Sequence, residues 1–191
     1  EAIRGCFINC EGCSIPFKNG AMLRFRKVEE VIKDIKSMPF KEFYLTDDTV
    51  FLAGKRVRKY MEELMEATSE IDDIKIFAAS TMMQPYDDEY LKIMAKGKVE
   101  SVYTVFGYDR RSTELFTPGG SRENWDHCVD LAKRINDTGM HFFASFGVGF
   151  DYMDKSQFDL ILEYSRDAGL DLAEFYIDRK STRLNSSHRI R

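Results

Sequence analysis

The stretch "EFYLTDDTVFLAGKRVRKYMEELMEA" (Glu42–Ala67) changes its apolar period partway along. Glu42–Asp48 reads as a short buried strand that ends in two acids. From Gly54 to Ala67 the period is helical, with Val57, Tyr60, Met61, Leu64 and Met65 on one face. Upstream, "VEEVIKDIKSM" (Val28–Met38) is again helical and turns Val28, Val31, Ile32 and Ile35 to one side. Downstream the alternation continues. Strands are predicted over Ile74–Ser80, Val99–Gly107, Met140–Asp151 and Leu172–Ile177. Helices are predicted over Asp87–Gly97, Ser121–Gly139 and Lys155–Gly169, with Ser121 as N-cap and Gly139 just past the end of its helix. Strand then helix, repeated with short connections, means parallel strands joined by right-handed crossovers. Counting an Ala2-Ile3 stub, six strands and five helices are expected. Either an open doubly wound α/β sheet or part of a (β/α) barrel satisfies this order.

Composition sets the class. The chain has 191 residues, 43% hydrophobic and 31% charged, enough for one domain with an ordinary core. No apolar run is long enough to span a membrane, and no export signal precedes the first cysteine. The chain starts at Glu1 without an initiator methionine, and its first strand reads as cut short. At the other end, "DRKSTRLNSSHRIR" (Asp178–Arg191) has no apolar period. Asp178–His188 reads as the in-frame translation of a common short-read sequencing adapter, the alternative being a natural basic tail. The expected organisation is therefore one incomplete domain over 1–177 and a foreign tail over 178–191. That tail carries five Arg/Lys and one Asp, a net of +4, so without it the chain's charge falls from −4 to −8. An acidic surface of this kind argues against nucleic acid as a partner.

Three of the four cysteines crowd into "RGCFINCEGCSIPF" (Arg4–Phe17), at Cys6, Cys10 and Cys13. Without an export signal, such spacing argues for a metal or cofactor site rather than a disulfide framework. A loop between a strand and a helix can place three soft thiolates around one [4Fe–4S] cluster, leaving one iron open for another ligand. The competing reading is structural zinc. Zinc sites usually offer two close ligand pairs, and here only Cys10 and Cys13 form one, with Cys128 and the histidines far along the chain. Cys128 shares an apolar helix face with Trp125, Leu131, Ala132 and Ile135 and is expected to be buried. His127 and His141 are expected to be structural or surface residues. In either α/β architecture the C-terminal strand ends form the ligand rim. Those ends carry Cys6–Cys13, Thr46-Asp47-Asp48, Ser80, Gly107-Tyr108-Asp109 and Gly147–Asp151.

A CxxxCxxC motif after the first strand of a β/α rim resembles the radical S-adenosylmethionine (SAM) superfamily, over roughly Ala2 to Ile177. The resemblance implies a partial (β/α)6 barrel of TIM type. It implies a cluster held by Cys6, Cys10 and Cys13, whose open iron is chelated by the amino and carboxylate groups of SAM. It further implies reductive cleavage of SAM to methionine and a 5′-deoxyadenosyl radical, with electrons from an external donor. Asp47 and Asp48 stand where the family binds the SAM ammonium, although its usual glycines are absent here. Gly107 and Asp109 resemble a Gly-x-Glu strand end with a shorter acid, and Ser80 resembles a polar residue that some members aim at SAM. Gly147 and Gly149 resemble the segment lying against adenine, where glycine allows close backbone approach. Gly12 replaces the aromatic residue that usually precedes the third cysteine, so only backbone contact with adenine remains there.

Within the superfamily, "CSIPFKNGAMLRFRKVEEVIKDIKSMP" with "FYLTDD" resembles proteins that carry an upstream cobalamin-binding domain. Methylthiotransferases that modify RNA or ribosomal protein share the C-x-I-P…G…R…R part but usually end the second strand in a Gly-Gln-Asn-like turn. The cobalamin-type resemblance implies cobalamin as a further cofactor, carried on a missing upstream domain, with a methylthiotransferase-like enzyme as the alternative. The expectation is an oxygen-sensitive cytoplasmic enzyme acting on a small-molecule or lipid-like substrate that the sequence does not identify. A non-catalytic metal-binding module is the reading from another class.

Overall fold

The computed structural model describes residues 1–7, 15–48, 50, 54–80, 86–105, 122–148 and 154–177. The 178–191 tail and the Cys10–Cys13 pair lie outside them. The strands are β1 (Ile3–Arg4), β2 (Arg24–Phe25), β3 (Glu42–Leu45), β4 (Lys75–Ser80), β5 (Val99–Val105), β6 (His141–Val148) and β7 (Leu172–Ile177). The helices are α1 (Ile15–Asn19), α2 (Val28–Ser37), α3 (Lys55–Ser69), α4 (Asp88–Lys96), α5 (Arg122–Asp137) and α6 (Ser156–Ala168).

Strands β3 to β7 form one parallel sheet in the order β3-β4-β5-β6-β7. This order decides between the two architectures. A doubly wound sheet reverses direction at a switch point, whereas here every strand is added to the same edge. Right-handed crossovers then all fall on one face. The helices follow that logic: α2 packs on α3, α3 on α4, α4 on α5 and α5 on α6. The result is an arc of a (β/α) barrel, with every described C-terminal strand end on one rim.

The core lies between the sheet and its helices. Helix α3 buries Val57, Met61, Leu64, Met65 and Thr68, the face expected from its period, with Tyr60 at the edge. Phe142, Phe146 and Tyr164 are fully buried, and Phe146 meets Tyr164 of α6 edge-on with ring centroids 6.3 Å apart. Burying each such side chain contributes about 1.5–3 kcal/mol. At the α3–α4 contact Gly97 passes so close that a Cβ there would lie 2.6 Å from the Met65 Cβ. Thr68 uses that closeness, donating its hydroxyl to the Gly97 carbonyl at 2.8 Å.

The N-terminal segment departs from expectation. The sequence places the stub as the first barrel strand. Instead β1 pairs antiparallel with β2, Ile3 opposite Phe25 and Arg4 opposite Arg24, and stays out of the parallel ladder. The reason is local. The Ala2 and Ile3 amides donate to the Asp47 carboxylate just beyond β3, so a side chain joins β1 to the sheet. Phe25 then packs edge-on against Tyr60 of α3, with Arg56 stacked over the Phe25 ring at 4.5 Å.

Candidate cluster and cofactor rim

Cys6 follows β1 closely and is buried. Its amide donates to the Gly20 carbonyl at 3.2 Å, so the chain entering the cysteine segment touches the chain leaving it. Gly5, just before, sits at φ 100°, and a Cβ there would lie 2.5 Å from the Met22 carbonyl oxygen. Only glycine fits this approach. Arg24 reaches back to the Asn19 carbonyl at 2.6 Å, which fixes the end of α1.

The two rim acids are placed differently. Asp47 is 4% exposed, and its carboxylate accepts from the Ala2 and Ile3 amides. Burial pushes its carboxyl above the usual range, and the two backbone amides pull it back in part. Burial, with the Asp47 charge second, also pushes the nearby Tyr60 phenol up to about 12. Asp48 is half-buried. Both its oxygens lie 2.8 Å from the Asn19 Nδ2, and Oδ2 accepts from the Gly5 amide at 3.3 Å.

Of the other rim residues, Gly147 is buried within β6, opposite Tyr176 of β7. Ser80 is the last residue of β4. Cys10, Gly12, Cys13, Gly107, Asp109 and Gly149 lie outside the described residues. The structure thus brings together β1, Cys6, Gly5, Asn19, Asp47 and Asp48 at one corner of the rim.

Cys128 belongs elsewhere. It is 8% exposed on α5 and hydrogen-bonds with Tyr164 of α6. Burial pushes its thiol up to about 12, so it is held protonated and is a poor metal ligand. His127 is exposed, and so is His141, beside Asp171 at 3.3 Å. Among the described residues no three His, Cys, Asp or Glu side chains converge on a metal position. Three soft thiolates, the set the motif offers at Cys6, Cys10 and Cys13, would suit an iron–sulfur cluster better than closed four-ligand zinc, and of the three only Cys6 lies among the described residues.

A polar group on the other face of the sheet has no counterpart in the sequence reading. Tyr103 of β5 donates to Glu174 of β7 at 3.1 Å, and Ser145 of β6 lies 3.4 Å from the same carboxylate oxygen. Phe146, one residue on, faces Tyr164 of α6, so these three side chains lie on the concave face away from the helices. Burial raises the Tyr44 and Tyr103 phenols, and the Glu174 charge adds to both shifts.

A parallel β/α arc, with β1 running into the cysteine-bearing stretch, agrees with the fold that the motif's resemblance implies. The radical SAM superfamily matches residues 1–165, and the chain belongs to that superfamily. Among curated relatives, a Methanocaldococcus jannaschii protein provisionally named as a methylthiotransferase is 25% identical over 178 residues, 90% of this chain and 39% of its own length. The tRNA-2-methylthio-N(6)-dimethylallyladenosine synthase of Anoxybacillus flavithermus is 24% identical over 181 residues, 91% of this chain and 34% of its own length. The chain thus spans between 34% and 39% of the length of these relatives. Among solved structures, the radical SAM methyltransferase TsrM from Kitasatospora setae, with cobalamin and a [4Fe-4S] cluster bound, superposes with a TM-score of 0.76 at 14% identity. That match covers 92% of this chain and 33% of TsrM. It supports the barrel-type fold. Among the described residues no helix is long and apolar enough to cross a membrane.

Proposed function

We propose that this chain is the catalytic core of a radical SAM enzyme in which Cys6, Cys10 and Cys13 hold a [4Fe–4S] cluster. The observation that carries the reading is the corner at which Cys6 leaves β1, its amide tied to Gly20, in a chain of this superfamily. Held there, the cluster would supply the one-electron reduction, fed by an external donor, by which the superfamily cleaves SAM. The chain's own residues would bind and orient. Gly12, Gly107, Gly147 and Gly149 would leave room for SAM against the backbone, and Ser80 and Asp109 would offer polar contacts. An acid of the Asp47–Asp48 pair would accept the SAM ammonium, and Asp48 is the more accessible of the two.

Cobalamin is part of this reading. The fold of TsrM and the paired acids after β3 support a cobalamin-type relative, with that cofactor carried on an upstream domain and used for methyl transfer or rearrangement. The substrate would be a small or lipid-like molecule met on the concave face, in a cytoplasmic protein. A second reading, methylthiotransfer, is favoured by the identity to the two curated relatives. The upstream sequence of the same gene separates the two by the presence or absence of a cobalamin-binding domain.

The test of the shared core is anaerobic reconstitution with iron and sulfide, then reduction with SAM present. About four irons per chain and 5′-deoxyadenosine are expected. Zinc uptake with no iron-dependent SAM cleavage would make this a metal-binding module instead.

A further inference from the structure

We propose that Asp48 is a positioning residue for the cysteine-bearing segment, a role distinct from the SAM contact that the family resemblance gives to the acid pair. The inference rests on Cys6 being a cluster ligand. Two chain ends meet at the Asp48 carboxylate. Gly5, which enters the segment one residue before Cys6, donates its amide to Oδ2 at 3.3 Å. Asn19, at the far end of α1, brings its Nδ2 within 2.8 Å of both oxygens. Directly beside this staple the Cys6 amide meets the Gly20 carbonyl at 3.2 Å. Arg24 holds the Asn19 and Met22 carbonyls at 2.6 and 3.3 Å. A charged acceptor with two donors on opposite sides of a neck resists its opening more strongly than a neutral pair does. Through Gly5 and Cys6 it fixes where the first thiolate points.

Asp47 does a different job. It holds Ala2 and Ile3, on the far side of Gly5 from the thiol, and its buried oxygens are taken up in fastening β1. The two neighbouring acids therefore divide into a strand anchor and a loop staple.

The experiment uses the full chain, reconstituted anaerobically, as wild type, Asp48→Asn, Asn19→Ala and the exchange Asn19→Asp with Asp48→Asn. The exchange keeps an amide facing a carboxylate, and the amide oxygen it places at position 48 can still accept from Gly5. Three readouts are compared: the rate of iron loss to a chelator, the EPR g-values of the reduced cluster, and the EPR change on adding SAM. Losing a hydrogen bond to a charged group corresponds to about a tenfold change, so both single variants are expected to lose iron about tenfold faster. Their g-values should shift before SAM is added, and the exchange should bring both readouts back toward wild type. Wild-type iron retention in both single variants, with the SAM response lost in Asp48→Asn alone, would overturn the proposal and leave Asp48 as a SAM ligand. Apo-protein melting that falls in step with iron loss, with unshifted g-values, would overturn it in favour of a purely structural role. A wild-type chain that assembles no cluster would remove this proposal together with the cluster reading, an outcome distinct from silent variants on a loaded protein.

Discussion

Gly5→Ala should damage the fold and the cluster corner together, and its size can be worked out against a matched control. Gly5 and Gly139 both have positive φ, 100° and 84°. A Cβ at Gly139 meets nothing within 4 Å, whereas at Gly5 it would lie 2.5 Å from the Met22 carbonyl oxygen and 2.9 Å from that of Gly20. Gly139→Ala therefore carries only the backbone cost, about 1–3 kcal/mol for a side chain held in a sparsely populated region. Gly5→Ala adds an overpacking cost of about 1–3 kcal/mol, because both close atoms are backbone and cannot swing aside. The total for Gly5→Ala is about 2–6 kcal/mol, a large fraction of the stability of a small domain. The assay is urea unfolding of the metal-free chain for wild type and both variants, followed by iron reconstitution. Gly5→Ala should unfold at clearly lower urea than Gly139→Ala and retain less iron. Equal midpoints for the two variants would refute the close approach of Gly5 to the Gly20–Met22 backbone.

Two further outcomes follow from the same geometry. Asp87 caps α4 through the Tyr90 amide at 2.8 Å and pairs with Arg58, so Asp87→Ala should cost about 0.5–2 kcal/mol in a denaturant titration. The Arg58 hydrogen bond, then that of the Tyr90 amide, holds the Asp87 carboxyl below its usual range. Its contribution is thus present above the ordinary carboxyl pKa and lost as pH falls through the lowered one, and the gap between wild type and variant should close only in strong acid. Cys128, with its thiol pushed up to about 12 by burial, should resist alkylation in the native chain at mildly alkaline pH and react once the chain is unfolded, as mass spectrometry can read. Rapid native labelling of Cys128 would contradict its packing against Tyr164.

The long elements were legible because their burial is periodic. Val57, Met61, Leu64 and Met65 mark one face of α3 in the sequence and lie in the core of the structure. Element order alone left barrel arc and doubly wound sheet open, since they differ only in which edge each strand joins, but the resemblance carried by the cysteine motif implied the barrel, and the strand order agrees with it. The β1–β2 ribbon has no signature in the sequence because two-residue strands carry no period, and α1 has none because five residues with Pro16 resemble a turn. At the rim, the cysteine spacing stood out from the sequence alone. The division of labour between Asp47 and Asp48 did not, because adjacent identical acids differ only in what folds around them. Tyr103, Ser145 and Glu174 share no motif, and only the register of β5, β6 and β7 brings them together.

Whether three cysteines hold the cluster is decided by measuring cluster loading and SAM cleavage in one set of cysteine variants. Wild type and Cys128→Ala should each take up about four irons and form 5′-deoxyadenosine on reduction with SAM. Cys6→Ala, Cys10→Ala and Cys13→Ala should each lose both. Full iron loading in any of those three, loss of loading in Cys128→Ala, or zinc bound in place of iron in the wild type would contradict the account.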